Sequence, residues 1–254
     1  MTDTDALGDR LFEAYATADP VAPLSASHDL SMGDSYAVQA ATLARRREAG
    51  AEPVGYKLGF TNGTIQAQYG VAEPAHGRLL DDALLDADVV ASDELIEPRV
   101  EPELAFVMDE PLSGEPAVHE VLAATRAVVP VIEVVDRRMD GGLTATDAVA
   151  DNALAARLRP GPTAADPTAT DWGSAAVQLR VDGSLRATGT GADVLGHPAE
   201  AVAWLAGRLA ERDDHVPAGA LVSTGSLTEA VPVGPGDAVT AAFGSLGSVS
   251  LRVA

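Results

Sequence analysis

The sequence has no cysteine among its 254 residues. That excludes a disulfide framework, a thiolate metal site and a cysteine nucleophile. Aromatic residues make up only 4% of the chain, and Lys57 is its single lysine. Positive charge is scarce altogether: 17 Lys plus Arg face 38 Asp plus Glu, a formal charge of −21. This lacks the basic footprint of a nucleic-acid binder and the polybasic patch of a membrane-surface anchor. No run approaches the roughly 18 apolar residues that cross a bilayer. The start, Met1-Thr2-Asp3-Thr4-Asp5, is acidic and lacks the basic region and apolar stretch of a secretory leader. The expectation is a cytoplasmic protein with no nucleic-acid or membrane partner.

What is present reads as an ordinary globular protein. Hydrophobic residues are 46% and charged residues 22%, enough to bury a core without covalent staples. The first 50 residues have a helical texture. Leu7, Leu11, Tyr15 and Ala16 fall on one helical face, and Pro20 and Pro23 end that element. Ser31 is placed to cap a second helix running to about Gly50, with Arg45-Arg46-Arg47 in its last turn. From residue 51 the chain turns β-rich. Strands are expected at Gly55–Phe60, Glu94–Met108, Val128–Val135, Ala175–Val181, Gly219–Val222, Ala238–Phe243 and Ser248–Val253. Helices are expected at Thr64–Tyr69, Ala117–Arg126 and Ala199–Arg212, and Pro160–Asp171 reads as a loop or mobile lid. Irregular strand spacing with few crossover helices argues against a doubly wound sheet. The expected fold class is α+β: one unit over 1–254, with a helical region (1–50) and a mixed, β-rich core (51–254) flanked by peripheral helices.

Three features carry chemistry. Lys57 sits in an apolar, strand-like setting, Gly55-Tyr56-Lys57-Leu58-Gly59, in a chain that otherwise uses arginine. Lysine offers a compact charge whose pKa burial can tune; chance survival of one surface lysine is the bland alternative. Glu101-Pro102-Glu103 places two carboxylates on one face of a strand, where they repel each other unless they share a proton or a cation. Glu133 lies inside the apolar run Val128–Val135, where a carboxylate needs a partner. A hard divalent cation would resolve both problems, and three carboxylates suit Mg²⁺ or Mn²⁺. The competing reading leaves Glu101 and Glu103 solvated or paired with Arg99, and pairs Glu133 with Arg137 or Arg138.

The string Gly55-Tyr56-Lys57-Leu58-Gly59-Phe60-Thr61 resembles the G-x-K-[IL]-G-[LF]-[TS] segment of the 2-keto-4-pentenoate hydratases. These belong to the fumarylacetoacetate hydrolase superfamily, with the related 4-oxalocrotonate decarboxylases. Pro98–Phe106, Val131–Asp136, Val149-Ala150-Asp151-Asn152-Ala153 and the stretch from Gly225 to Val249 are similar to the same family, in the same order. The resemblance implies a β-roll like the C-terminal part of fumarylacetoacetate hydrolase, and homo-oligomers. It implies Mg²⁺ or Mn²⁺ on Glu101, Glu103 and Glu133, and Lys57 beside the substrate. The substrate implied is a small 2-oxo or 2-hydroxy-dienoate acid. Lys57 would serve catalysis by charge or proton transfer, while Leu58, Gly225, Ser226 and Thr228 would help bind the substrate.

Two departures stand out. Hydratases of this group carry an acid and an aromatic in a Pro-Asp-[Tyr/Phe]-Gly segment, where this chain has Pro74-Ala75-His76-Gly77. Ala75 removes the acid. His76 is then either a substitute catalytic proton carrier or a filler of the aromatic's space. After Arg138, a common Trp-Lys pair gives way to Met139-Asp140-Gly141-Gly142. The leading expectation is a metal-dependent hydratase. A 4-oxalocrotonate-type decarboxylase, an acylpyruvate-type carbon–carbon hydrolase and a biosynthetic relative with another substrate are alternatives. A non-catalytic oligomeric binding protein ranks last.

Overall fold

The computed structural model describes residues 2–254; Met1, at the acidic start of the chain, lies outside them. Helix α1 (Thr4–Thr17) and α2 (Met32–Glu48) precede the first strand. The strands are β1 (Pro53–Gly59), β2 (Ala75–Leu80), β3 (Val89–Val90), β4 (Arg99–Met108), β5 (Thr125–Val135) and β6 (Ala155–Pro160), then β7 (Ala176–Val181), β8 (Ser184–Thr190), β9 (Leu221–Ser223), β10 (Val231–Pro232), β11 (Ala238–Ala242) and β12 (Ser248–Val253). Four further helices are α3 (Gly63–Tyr69), α4 (Val118–Ala123), α5 (Ala145–Ala150) and α6 (Pro198–Ala210). The α+β reading with a mixed β core holds.

One sheet has the order β2-β1-β9-β4-β5-β6, with β10 added alongside β4. The second has the order β3-β12-β11-β7-β8. β1 and β9 run parallel, whereas β4 and β5 form a long antiparallel pair. The first sheet curls until its two ends approach, with Leu84, just beyond β2, bridged to Leu158 of β6. Its outer face, carrying Tyr56, Leu58, Leu104, Phe106 and Ile132, packs in the main core with residues of the second sheet and α6. Its inner face carries Leu79, Ala105, Val129, Val131 and Leu158, an apolar plug. This two-faced strand pattern is the period-2 alternation of a pleated sheet.

The N-terminal helices pack on the later chain. Ser31 caps α2 as expected, accepting from the Asp34 amide, and the Asp34 carboxylate accepts from the Ser31 amide to complete a capping box. Leu7, Leu11 and Val38 join Met139 and Ala150 in a separate cluster. Ala16, expected on the buried face of α1, is exposed; Ala14 takes that place. The helical face is set by contact with α2, where Gly8 allows the backbones to close. Strand β4 starts at Arg99 rather than Glu94, because Ser92–Glu94 forms a 3₁₀ turn and the Asp136 carboxylate captures the Ile96 and Glu97 amides. The segment 161–171 is irregular, as expected, but not a free lid. Ala165 exchanges two 2.9 Å backbone bonds with Val128, and the indole of buried Trp172 donates to Pro167 O at 2.7 Å.

Candidate active site

The curl of the first sheet concentrates charge. β4 and β5 pair in a register that sets Glu101 directly opposite Glu133, with Glu103 two residues along β4 on the same face. One carboxylate oxygen from each can lie within 4.8 Å of the others, the one such cluster of potential metal ligands among the described residues. Glu103 and Glu133 are buried and Glu101 is partly exposed. Lys57 projects from β1 into the same space. Its ammonium is 3.2 Å from Glu133 Oε2 and donates to Ala153 O at 2.8 Å.

The arginines proposed as competing partners are engaged elsewhere. Arg138 binds Asp151, and both Arg137 and Arg99 face Glu97. Glu103 Oε2 accepts from the Ser223 hydroxyl at 2.6 Å and the Gly225 amide at 3.0 Å. Glu103 Oε1 and both Glu133 oxygens are buried without an aligned hydrogen-bond donor. Native proteins rarely leave such atoms orphaned, because each costs on the order of 1–3 kcal/mol or more. Fully ionised, three carboxylates and one ammonium leave two negative charges, which one divalent cation cancels. An all-oxygen donor set suits a hard cation.

The electrostatics agree. Desolvation pushes the Glu101 carboxyl up to about 7, against the pull of Lys57 and with the repulsion of Glu133. Burial, then Glu133 and Glu101, push Glu103 well above the carboxylate range. Burial pulls the Lys57 ammonium down, but the three carboxylates together outweigh it and raise its pKa. Lys57 is therefore charged at neutral pH.

Ala153 O reaches Lys57 through an unusual backbone. Asn152, Ala153 and Leu154 have φ of 54°, 51° and 62°, three successive non-glycine residues in the left-handed region. That conformation costs roughly 1–2 kcal/mol per residue and needs anchoring. The Asn152 side chain clamps the turn to β2, donating to Arg78 O at 2.9 Å and accepting from Arg78 N at 2.8 Å. Gly77 allows the close approach, since a Cβ there would lie 2.4 Å from Asn152 O. Asp151 fixes the start of the turn through its buried 2.6 Å pair with Arg138; burial raises its pKa to about 6 against the pull of that arginine.

The other candidate residues divide by strand face. Lys57 pairs with Gly77 and Gly59 with Ala75, so Ala75 shares the Lys57 face. Leu58 pairs with His76 on the other face. The Leu58 side chain belongs to the main core and does not meet the site. His76 is turned away for the same reason, correcting its reading as a catalytic proton carrier. Its ring stacks on Tyr36 at 4.8 Å and lies 6.4 Å from the Tyr56 and Trp204 rings. Burial, followed by Arg78, Arg212 and Arg208, lowers its pKa to about 4. It fills an aromatic's space as a neutral ring.

Gly225 (φ 100°) lies at the cluster, with its amide on Glu103; Ser226 and Thr228 follow on the connecting segment, partly exposed. Sequence reasoning missed Ser223, which carried no signal, and the turn at Asn152, whose motif was noticed without a role.

Proteins of similar sequence and fold are known. The pattern of the fumarylacetoacetate (FAA) hydrolase C-terminal family matches residues 74–254. The chain belongs to the fumarylacetoacetate hydrolase family. Within the family it is 41% identical over 228 residues to a 4-oxalocrotonate decarboxylase of Pseudomonas sp. (strain CF600), covering 88% of this chain and 86% of the relative. It is 37% identical to a 2-keto-4-pentenoate hydratase of Paraburkholderia xenovorans (strain LB400), covering 94% and 90%. A solved structure of 4-oxalocrotonate decarboxylase from Pseudomonas putida G7, complexed with magnesium and adipate, superposes with a TM-score of 0.96 at 36% identity, covering 100% of this chain and 99% of the other. The chain is an enzyme of this hydratase/decarboxylase group.

Proposed function

We propose that the chain is a divalent-cation-dependent carboxy-lyase for a 2-oxo dicarboxylate of the 2-oxo-3-hexenedioate (4-oxalocrotonate) class. Ala75 carries this choice over hydration. It is buried, on the Lys57 face, where the hydratases that this chain resembles carry an acid. A dicarboxylate brings a second negative charge into the site. A carboxylate about 4 Å from it would cost about 4 kcal/mol at an effective dielectric of 20; alanine removes that repulsion. Hydration needs a proton-handling group, and the adjacent His76 faces away.

Glu101, Glu103 and Glu133 would hold Mg²⁺ or Mn²⁺, given their mutual spacing and the unpaired buried oxygens of Glu103 and Glu133. Bound there, the cation supplies Lewis-acid polarisation of the substrate's carboxylate and 2-oxo oxygens. The bond to the distal carboxylate breaks and CO₂ leaves. The electron pair passes through the conjugated chain to the 2-oxygen. Lys57, charged and oriented by Glu133 and Ala153 O, donates the proton that this oxygen gains. Ala105, Val129, Val131 and Leu158 keep the floor apolar, which favours loss of charge from a desolvated carboxylate. Gly225 spends its amide on Glu103 and Thr228 its hydroxyl on Glu229 O, so binding of the substrate's carboxylate would fall first to the Ser226 hydroxyl, which only accepts from the Thr228 amide; Thr228 would have to release Glu229 O to join it.

Residues 1–254 act as one unit in this proposal, because Gln39 of α2 donates to His76 O and Val149 O. Assembly as a homo-oligomer and a cytoplasmic location belong to the same proposal. Among the described residues no helix is long and apolar enough to cross a membrane. Light scattering after size exclusion measures the assembly.

The deciding experiment incubates the protein and Mg²⁺ with 2-oxo-3-hexenedioate and, separately, with 2-hydroxypenta-2,4-dienoate, read by mass and ultraviolet absorbance. Loss of CO₂ from the first is expected. Gain of water by the second, without reaction of the first, overturns the proposal in favour of a hydratase, the reading supported by the Paraburkholderia relative.

A further inference from the structure

We propose that Asn152 is a positioning residue for Lys57. It would act through the left-handed turn 152–154, which it locks onto β2. The inference rests on the reading of Lys57 as part of the catalytic site. An unbranched lysine chain has four rotatable bonds, so burial alone does not aim its ammonium. Two groups aim it here: Glu133 Oε2 at 3.2 Å and Ala153 O at 2.8 Å. Glu133 is committed to the carboxylate cluster. The carbonyl is therefore the aiming contact independent of that cluster.

That carbonyl comes from the middle of three successive residues with positive φ, none of them glycine. Such a turn persists only where its surroundings impose it. Asn152 holds it with both amide atoms, one bond to each backbone group of Arg78. Arg78 neighbours Gly77, and Gly77 is the cross-strand partner of Lys57. The asparagine thus ties the turn to the strand position facing the lysine. The missing side chain at Gly77 lets the two backbones meet there, since a Cβ would lie 2.4 Å from Asn152 O. The Asn152 side chain hydrogen-bonds Arg78 and not the carboxylates, so its effect would reach the chemistry through Lys57.

Lys57 is the only lysine, which makes the test direct. Protein grown with lysine labelled at Nζ gives one ammonium signal in a ¹H–¹⁵N spectrum, and no substrate is needed. In the wild type the signal should be protected, with ammonium protons exchanging at least about tenfold more slowly than those of free lysine. In Asn152→Ala and Asn152→Gly it should shift, and the protection should fall about tenfold. Glycine keeps the positive φ without strain, so Asn152→Gly isolates the clamp from the backbone cost. The Mg²⁺ dissociation constant should stay within about twofold, while kcat falls about 10²-fold with little change in KM. A wild-type lysine exchanging like the free amino acid overturns the proposal. So does an unchanged signal in a folded Asn152→Gly protein. A wild type that binds Mg²⁺ but turns over neither substrate would sink the proposed function, and the spectrum would still decide the role of Asn152.

Discussion

Three carboxylates around one ammonium make the centre of the curled sheet a place where single side chains have large effects. Glu133→Gln removes one negative charge from the cluster and a partner from Lys57. Calorimetric Mg²⁺ binding and turnover should both be lost. Lys57→Met keeps the stem and removes the charge; kcat should fall by about 10³-fold or more with the circular dichroism of the fold intact. A rate within a few-fold of the parent would refute its role. Ala75→Asp restores the acid of the hydratases, and loss of CO₂ from 2-oxo-3-hexenedioate should slow at least about 10²-fold. His76 provides a contrast. Its folded pKa of about 4 lies below the ~6.5 of an unfolded histidine. Between those values the unfolded chain binds a proton that the folded chain refuses. The stabilisation is therefore complete above about pH 6.5 and is lost as pH falls towards 4, by up to about 3 kcal/mol. His76→Phe should flatten the fall in melting temperature over that window relative to wild type. Turnover should stay within a few-fold, because the ring faces away from Lys57.

At the scale of elements, the site depends on register. Glu101 stands opposite Glu133 only in the observed pairing of β4 and β5; a slip of one residue would turn one strand's acids into the apolar core. The crossing after β9 is equally constrained. Gly225 has φ 100°, and a Cβ there would lie 2.1 Å from the Thr61 hydroxyl. Gly225→Ala should lower the melting temperature by several degrees, on the order of 1–3 kcal/mol, and weaken Mg²⁺ binding through the displaced Glu103. Elements with a strong local pattern were legible. β12 alternates buried and exposed residues and spans Ser248–Val253 as its pattern predicts, and α2 carries its capping box. β2, β6 and β8 were not. β2 is almost wholly buried and lacks alternation, and β8 is largely exposed and polar. Pairing with neighbours, rather than local propensity, makes these segments strands.

Across the whole molecule, the charge of −21 opposes an anionic substrate. A divalent cation held within the sheet would cancel the negative charge of the site locally and give the substrate's oxygens a positive centre to approach. Because it binds the folded chain, Mg²⁺ at about 100 times its dissociation constant should stabilise the protein by about 2.7 kcal/mol. Chelation should reverse that gain and abolish turnover; activity that survives exhaustive chelation would sink the metal-dependent reading.

The sequence by itself determined the chemistry available. Its acid pairs, its one lysine and the family resemblance of their surroundings point to Lys57, Glu101, Glu103 and Glu133 without any knowledge of contacts. Those properties are local: a two-residue spacing on a strand, and a charge in an apolar run. Which groups meet was decided by tertiary structure. Leu58 and His76 flank the right segments, yet cross-strand pairing turns both side chains away from Lys57. Ser223 and Ala153 O enter the site from far along the chain. No local spacing encodes a carbonyl delivered by a strained turn, because its direction depends on the clamp that Asn152 makes to a strand 74 residues away.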